Sequence, residues 1–209
     1  MATEDAVVGL TFDDGPDPVF TPRLLDILAT HGAKATFFMV GSRARSHPEL
    51  VGRVVAEGHA IANHTETHPS MPTRSGRERR EELSDCRSAL GPAATMLFRP
   101  PFGHQTVWSR LDAYRMGYDV VAWSSDVEDW LQQSADRFES RIFKAFRPGL
   151  ILLLHDSICD GTDPAAEDRG PMLDGLDEAL RQATSFRFET LPQLFTRGRV
   201  HRAKWFWQG

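Results

Sequence analysis

Cysteine is scarce in this chain, and its scarcity excludes two common kinds of small-protein architecture. Only two cysteines, Cys86 and Cys159, occur in 209 residues. They lie far apart and form neither a CxxC pair nor a zinc-finger spacing, so the sequence predicts no disulfide framework and no cysteine-based metal site. We expect both to be free thiols.

Positive charge is not in excess, and the N-terminus lacks the pattern of a secretion signal. The formal net charge is -5 and the isoelectric point is about 5.9, which argues against nucleic acid or an anionic membrane as the main partner. Residues 1–5 contain neither the charged nor the apolar segment of a signal peptide. The sequence as given therefore predicts a cytoplasmic protein, or a secreted one if a signal peptide preceded it.

Length and composition are those of one ordinary globular domain. The chain has a mass of 23.5 kDa, with 41% hydrophobic and 25% charged residues. This length supports one sizeable core and is short for two, so we expect a single domain over residues 1–209. We expect a monomer or a weak homo-oligomer.

Short apolar runs alternate with helical patterns along the whole chain. Seven of these runs are predicted to be strands: 7–12, 35–40, 59–63, 95–98, 118–123, 150–154 and 187–190. Strands that alternate with helices in this way are typical of parallel β/α units.

Helix limits are marked by residues that usually begin or end helices. Thr21 is predicted to be the N-cap of a helix that ends at Gly32, and Pro48 begins a helix that ends at Gly58. Ser75, with a glutamate three positions later, has the pattern of a capping box and predicts the start of a third helix.

Polar motifs closely follow five of the predicted strands. They are Asp13-Asp14-Gly15-Pro16, His64-Thr65-Glu66-Thr67-His68, Arg99-Pro100-Pro101-Phe102-Gly103, Asp126-Val127-Glu128-Asp129-Trp130 and Leu153-Leu154-His155-Asp156. Barrels of β/α units build their active sites at the C-terminal ends of the strands, so the motifs are predicted to share one site. Segment 157–171 is the longest predicted loop, and it either flanks the substrate or is a flexible surface loop.

Three side chains of these motifs form a set that can bind a metal. His64 and His68 are four residues apart, which places both on one face if the backbone is helical. Asp14 adds a carboxylate, and because the same set of ligands holds iron(II) in oxygenases, the triad alone leaves the metal open. Successive side chains of a strand point in opposite directions, so Asp13 and Asp14 are predicted to have different tasks.

The ordered set of five motifs resembles that of the NodB-homology polysaccharide deacetylases, the family 4 carbohydrate esterases, over residues 7–194. The resemblance implies a distorted, incomplete TIM-like (β/α)7 barrel. It implies hydrolysis of the N-acetyl group of an amino-sugar oligosaccharide, polysaccharide or sugar conjugate, with release of acetate and a free amine. It also implies a divalent metal, Zn²⁺ or else Co²⁺ or Ni²⁺, bound by Asp14, His64 and His68.

The resemblance further implies the roles of the catalytic groups. Asp13 would be the general base that takes a proton from the attacking water, and Arg99 would keep it ionised and oriented. His155 would be the general acid that protonates the departing amine. A carboxylate of the fourth motif would tune this histidine, and we favour Asp129 over Asp126.

The walls of the pocket also follow from the resemblance. The backbone amide of Phe102 would contact the oxyanion, Trp130 would wall the pocket, and Leu153 would contact the acetyl methyl group. His104 is a further candidate for substrate contact. The aromatic residues Trp205, Phe206 and Trp207 are expected either to pack against the barrel or to stack on sugar rings.

Two other functions stay open from the sequence. The first is hydrolysis of a C–N bond in a non-sugar amide, cyclic or linear, because the family also contains such enzymes. The second is an inactive, metal-dependent carbohydrate-binding protein. An inactive protein should have a broken acid/base set, whereas Asp13, Arg99 and His155 are all present.

Overall fold

The computed structural model describes residue 1 and residues 3–200. The strands are β1 Val7–Asp13, β2 Ala35–Met39, β3 Ala60–Asn63, β4 Leu97–Phe98, β5 Asp119–Val120, β6 Ser125–Asp126, β7 Ile151–His155 and β8 Arg187–Phe188. The α-helices are α1 Phe20–Thr30, α2 Gly41–Ser46, α3 Pro48–Ala56, α4 Gly76–Leu90, α5 Val107–Arg115, α6 Ala135–Ala145, α7 Gly170–Gln182 and α8 Leu191–Phe195. Short 3₁₀ segments lie at Met71–Thr73, Pro101–Gly103 and Pro164–Glu167. None of these helices is long and apolar enough to cross a membrane.

All strand pairs in the sheet are parallel. Seven strands follow one path in the order β5-β4-β3-β2-β1-β7-β6, and β8 pairs with the start of β1 beside this path. Helices connect most successive strands. This confirms the predicted distorted, incomplete (β/α)7 barrel. Trp205, Phe206 and Trp207 lie outside the described residues.

Strand β1 is central and buried along its whole length. Val8, Leu10 and Phe12 pack into the large core between the sheet and the helices. Because side chains alternate along a strand, Thr11 and Asp13 lie on the other face, which is the interior of the barrel. The strand therefore delivers a polar group to the inside of the barrel at its C-terminal end.

One predicted strand is much shorter in the structure, and an unpredicted strand follows it. Of the predicted strand at 118–123 only Asp119–Val120 form β5, and Ser125–Asp126 form β6 beyond its end. The N–H of Val121 donates to the carbonyl of Phe98 (2.8 Å), and the N–H of Ser124 donates to the carbonyl of Ile151 (2.8 Å). The segment therefore passes from the side of β4 to the side of β7 and bridges the two edges of the sheet.

Helix α1 begins before its predicted N-cap. Thr21 lies inside the first turn, is fully buried, and donates its hydroxyl to Asp156 Oδ2 (2.5 Å). The carboxylate of Asp17 accepts the N–H groups of Val19 and Phe20 and so caps the helix. The predicted N-cap was wrong because the hydroxyl of Thr21 donates to the buried carboxylate of Asp156. The oxygen that accepts N–H groups at the start of the helix belongs to Asp17 instead.

The other helix signals are confirmed. Helix α3 begins at Pro48, and Gly58, with a φ of 81°, follows its end. Ser75 and Glu78 form the predicted capping box at the start of α4. Helix α7 begins at Gly170, just inside the segment predicted to be a loop.

Candidate active site

The strand ends open into one pocket of about 320 Å³, a size suited to a small ligand or part of a larger one. Eight of the ten predicted site residues line it: Asp13, Asp14, His64, His68, Phe102, Trp130, Leu153 and His155. The remaining two, Arg99 and Asp129, are fully buried and each is bonded to a lining residue.

The adjacent carboxylates of Asp13 and Asp14 face the same pocket. Asp13 ends β1, but Asp14 has a φ of 74°, so the alternation of an extended strand stops between them. Different partners separate the two carboxylates, because Asp13 pairs with Arg99 and Asp14 lies against two histidines. That the two have different tasks stays a prediction, but the opposite directions from which it was argued require extended backbone at both positions, and Asp14 is not extended.

Asp14, His64 and His68 converge as a metal site requires. Asp14 Oδ1 lies 3.3 Å from His64 Nε2 and 3.1 Å from His68 Nε2. The outer ring nitrogens have their own partners, because His64 Nδ1 donates to the carbonyl of Arg99 (2.7 Å) and His68 Nδ1 lies 3.5 Å from Asp160 Oδ2. Outer contacts of this kind orient metal-binding histidines. The donor set therefore fits a divalent metal.

The spacing of the two histidines would place both on one face of a helix, but the structure has no helix at these residues. They follow β3 in a loop, where Thr65 and His68 have φ values of 71° and 59°. The side chain of Asn63 accepts the N–H of Thr65 (2.9 Å), and the hydroxyl of Thr65 accepts the N–H of His68 (3.0 Å). These local bonds shape the loop so that both rings reach Asp14.

The environment of Asp14 favours its ionised form. Burial alone would raise the pKa of Asp14, but hydrogen bonds from His64 and His68 hold it well below its usual value. The backbone N–H of Cys159 also donates to Asp14 Oδ2 (2.7 Å). Asp14 is therefore a carboxylate at neutral pH.

Cys159 lies beside these donors. Among the described residues, the ligand atoms of Asp14, His68 and Cys159 all lie within 4.8 Å of one another. Burial, followed by the nearby negative charge of Asp14, raises the pKa of the Cys159 thiol to about 12. The thiol is free, as expected, and protonated at neutral pH. Its position could not be read from the spacing of cysteines.

Asp13 is held by a buried arginine. Arg99 Nη1 donates to Asp13 Oδ1 (2.7 Å) and to the hydroxyl of Thr11 (2.8 Å), and the guanidinium lies over the ring of Phe38 at 4.1 Å. Burial lowers the pKa of Arg99, and the charge of Asp13 opposes that shift. A buried, hydrogen-bonded ion pair of this kind fixes the orientation of the carboxylate.

His155 forms a second ion pair across the pocket. Its Nδ1 lies 2.9 Å from Asp129 Oδ1, and its backbone N–H donates to Asp129 Oδ2 (2.8 Å). Burial alone would lower the pKa of His155, but the charges of Asp129, Asp14 and Asp13 raise it to about 9. Asp126 instead accepts a hydrogen bond from the indole of Trp123 (3.3 Å).

Aromatic and aliphatic side chains complete the pocket. The ring of Phe102 packs edge-on against His68 at 4.6 Å, and Trp130 packs edge-on against His155 at 6.0 Å. Residues 158–162 form another wall, so the predicted loop flanks the pocket. His104 bonds to the hydroxyl of Ser70 (3.1 Å).

Sequence reasoning missed one buried charged residue of the site. Arg169 is bonded to Asp129 and lies just before α7, within the segment predicted to be a loop. No motif contains it, and a single arginine in a polar stretch gives no signal of burial.

Comparisons with known proteins agree with this geometry. A family model described as polysaccharide deacetylase matches residues 1–121. The chain is 40% identical over 197 residues to a chitooligosaccharide deacetylase of Bradyrhizobium sp. (strain ANU 289), covering 90% of each chain. It is 36% identical over 199 residues to a peptidoglycan-N-acetylglucosamine deacetylase of Bacillus cereus (strain ATCC 14579), covering 91% of this chain and 68% of that one.

Solved structures give the same result. The fold is similar to the crystal structure of the Bc1960 peptidoglycan N-acetylglucosamine deacetylase, with a TM-score of 0.84 and 34% identity. The match covers 96% of this chain and 92% of the other.

Proposed function

The chain belongs to the polysaccharide deacetylase family, and we propose that it is a metal-dependent N-deacetylase of amino-sugar oligosaccharides, polysaccharides or sugar conjugates. The products are acetate and a free amine. The observation that carries the proposal is the presence in one pocket of a carboxylate base, an imidazolium acid and a metal donor set. The named relatives act on chitooligosaccharides or on peptidoglycan N-acetylglucosamine.

The metal is assigned to Asp14, His64 and His68, and we propose Zn²⁺, with Co²⁺ or Ni²⁺ as alternatives. A divalent cation held by these side chains would polarise the acyl carbonyl and lower the pKa of water. The two imidazoles and one carboxylate suit these ions and leave room for water and substrate.

Asp13 is the general base of the proposed reaction. Its carboxylate, oriented by Arg99, takes a proton from the water whose oxygen attacks the acyl carbon. As negative charge develops on the carbonyl oxygen, the backbone N–H of Phe102 stabilises it. The apolar side chains of Leu153 and Trp130 enclose the methyl group of the acetyl.

His155 is the general acid. Asp129 bonds to Nδ1, which leaves Nε2 as the nitrogen that gives its proton to the amine as the C–N bond breaks. The amine needs this proton because an amide anion is a poor leaving group. One water is consumed, and its oxygen leaves in acetate.

The proposal is tested with a panel of substrates supplied to the metal-loaded protein. Chitooligosaccharides, acetylated xylan and small cyclic amides are compared, and acetate release is measured beside ring opening. We expect acetate from the N-acetylated oligosaccharides and no ring opening. Ring opening without acetate would assign the site to non-sugar amides, and tight sugar binding without turnover would indicate an inactive binding protein.

A further inference from the structure

Arg169 is a buried cation directly behind the pair of His155 and Asp129. Only 1% of its surface is exposed. Its Nη2 donates to Asp129 Oδ2 (2.6 Å), and its Nη1 donates to the backbone carbonyls of Asp129 and Ala166, both at 2.7 Å. Its Nε donates to the carbonyl of His155 (3.2 Å). One guanidinium therefore joins both members of the pair to the segment that precedes α7.

These contacts determine which oxygen of Asp129 serves His155. Oδ2 is occupied by Arg169 Nη2 and by the backbone N–H of His155, which leaves Oδ1 for Nδ1 of the ring. A planar guanidinium with several donors fixes a carboxylate in one orientation, which a lysine cannot do. A buried ion pair is often no more stable than apolar packing, so its presence here needs a reason other than stability.

We propose that Arg169 is a positioning residue of the general acid, which orients Asp129 toward His155 and weakens the negative charge that the imidazole experiences. The inference rests on the proposed role of His155. Arg169 touches neither the substrate nor the reacting atoms, and it acts through Asp129.

The charges around His155 give the direction of the effect. Asp13 and Asp14 face it from the end of β1, Asp129 faces it from the segment after β6, and Arg169 is the buried cation behind Asp129. When the imidazole loses its proton, Arg169 still balances Asp129. Without Arg169, the same step leaves an unbalanced buried carboxylate, so the imidazole holds its proton more tightly.

Replacing Arg169 should therefore raise the pKa of His155. In wild type, activity should fall as pH rises through this pKa, because the general acid must be protonated. Without Arg169, the alkaline limit of activity should move to higher pH. At neutral pH, proton transfer to the amine should become slower, because the acid is weaker.

The test compares three variants of Arg169 in the Zn²⁺-loaded protein. Arg169→Met and Arg169→Gln remove the charge, and Arg169→Lys keeps it. We expect the neutral variants to raise the pKa of His155, measured by NMR titration, by about one unit or more. Lysine should keep the pKa of His155 close to its wild-type value, because it keeps the charge, but it does not hold Asp129 in the same orientation, so kcat for the amide should stay below wild type.

Arg181→Met is the matched control, because Arg181 lies on α7 but is exposed and pairs with Glu178. It should leave both the titration of His155 and the pH profile unchanged. If Arg169→Met does not fold, Arg169→Gln and Arg169→Lys carry the comparison, and thermal unfolding identifies folded protein.

A neutral variant that folds and titrates like wild type would overturn the proposal, even if its activity were low. So would equal shifts for lysine and glutamine. The NMR titration needs no turnover. If the pKa of His155 shifts as expected in a protein that releases no acetate, the proposed function is contradicted and the role of Arg169 is not.

Discussion

At the scale of single residues, chemistry in this site depends on the partner of each ionisable group. Asp13 and Asp14 are neighbours in sequence, yet one contacts a guanidinium and the other contacts two imidazoles. A cation fixes a carboxylate that can take a proton, whereas imidazole nitrogens beside a carboxylate form a set of metal donors. These contacts are the basis on which we propose Asp13 as the base and Asp14 as a metal ligand.

The metal donors can be tested one at a time. Asp14→Ala, His64→Ala and His68→Ala should each lose the metal and the activity, because a site of three ligands left with two loses most of its affinity. Metal content after dialysis against micromolar Zn²⁺ measures this.

Cys159→Ala is the control for this series. The proposed ligand set of Asp14, His64 and His68 is complete without its thiol, so the variant should keep full metal occupancy. Loss of metal in this variant, or full occupancy in one of the other three, would change the assignment of ligands.

Asp13→Asn should keep the metal and lose activity. The amide oxygen still accepts the hydrogen bond from Arg99, but it cannot take a proton at neutral pH. We expect kcat to fall by roughly 100- to 10,000-fold, the usual effect of a lost general base. Activity within about threefold of wild type, against that expected loss, would remove Asp13 from the role of base.

His155→Ala should affect amides far more than activated esters. An amine must be protonated as it leaves, whereas a phenolate departs unaided. The amide rate should fall by roughly 100- to 10,000-fold, and hydrolysis of an aryl acetate should fall much less. Equal losses on both substrates, with metal retained, would mean that His155 binds or positions the substrate.

The ten predicted site residues were identifiable because they occur in ordered motifs, whereas Arg169 and Cys159 do not. Arg169 became significant only when the chain before α7 folded behind Asp129. The position of Cys159 depends on a loop that returns to Asp14, a contact across 145 residues of sequence. Contacts of this range leave no pattern in the neighbouring sequence.

At the scale of elements, the strands bring the motifs together and the turns after them aim the side chains. Asp14, His68 and Phe102 all have positive φ values, which residues other than glycine adopt at a cost of about 1–3 kcal/mol. Strand positions were predictable from apolar runs. The directions of the side chains were not predictable, because they depend on backbone conformations that residues other than glycine rarely adopt.

The packing of α7 against α6 gives a prediction at this scale. A Cβ at Gly175 would lie 2.6 Å from the carbonyl oxygen of Ala135 and 2.8 Å from the backbone nitrogen of Glu139. Gly175→Ala should therefore lower the free energy of unfolding by about 1–3 kcal/mol, as overpacking does. Urea denaturation measures the change.

Gly52→Ala is the matched control, since Gly52 lies inside α3 with nothing within 4 Å of an added Cβ. It should stabilise the protein by about 0.5–1 kcal/mol, because alanine favours a helix more than glycine does. Equal effects of the two substitutions would contradict the close packing of α6 and α7.

At the scale of the whole molecule, a short stretch of chain closes the barrel. The segment from Val121 to Ser124 bonds to β4 at one end and to β7 at the other. It therefore joins the two edge strands of the path, β5 beside β4 and β6 beside β7. Asp13, held by Arg99, and His155, held by Asp129, face one pocket because they end adjacent parallel strands and are partners in the register of β1 and β7.

The central claim is that this pocket removes acetyl groups from amino sugars with a bound metal. The most direct test strips the metal from the protein, supplies an N-acetylated chitooligosaccharide, and measures acetate and free amine before and after Zn²⁺ is added. We predict equal amounts of both products only after metal is restored, and none from Asp14→Ala under either condition. The same rate with and without metal, or no acetate after metal is restored, would contradict the claim.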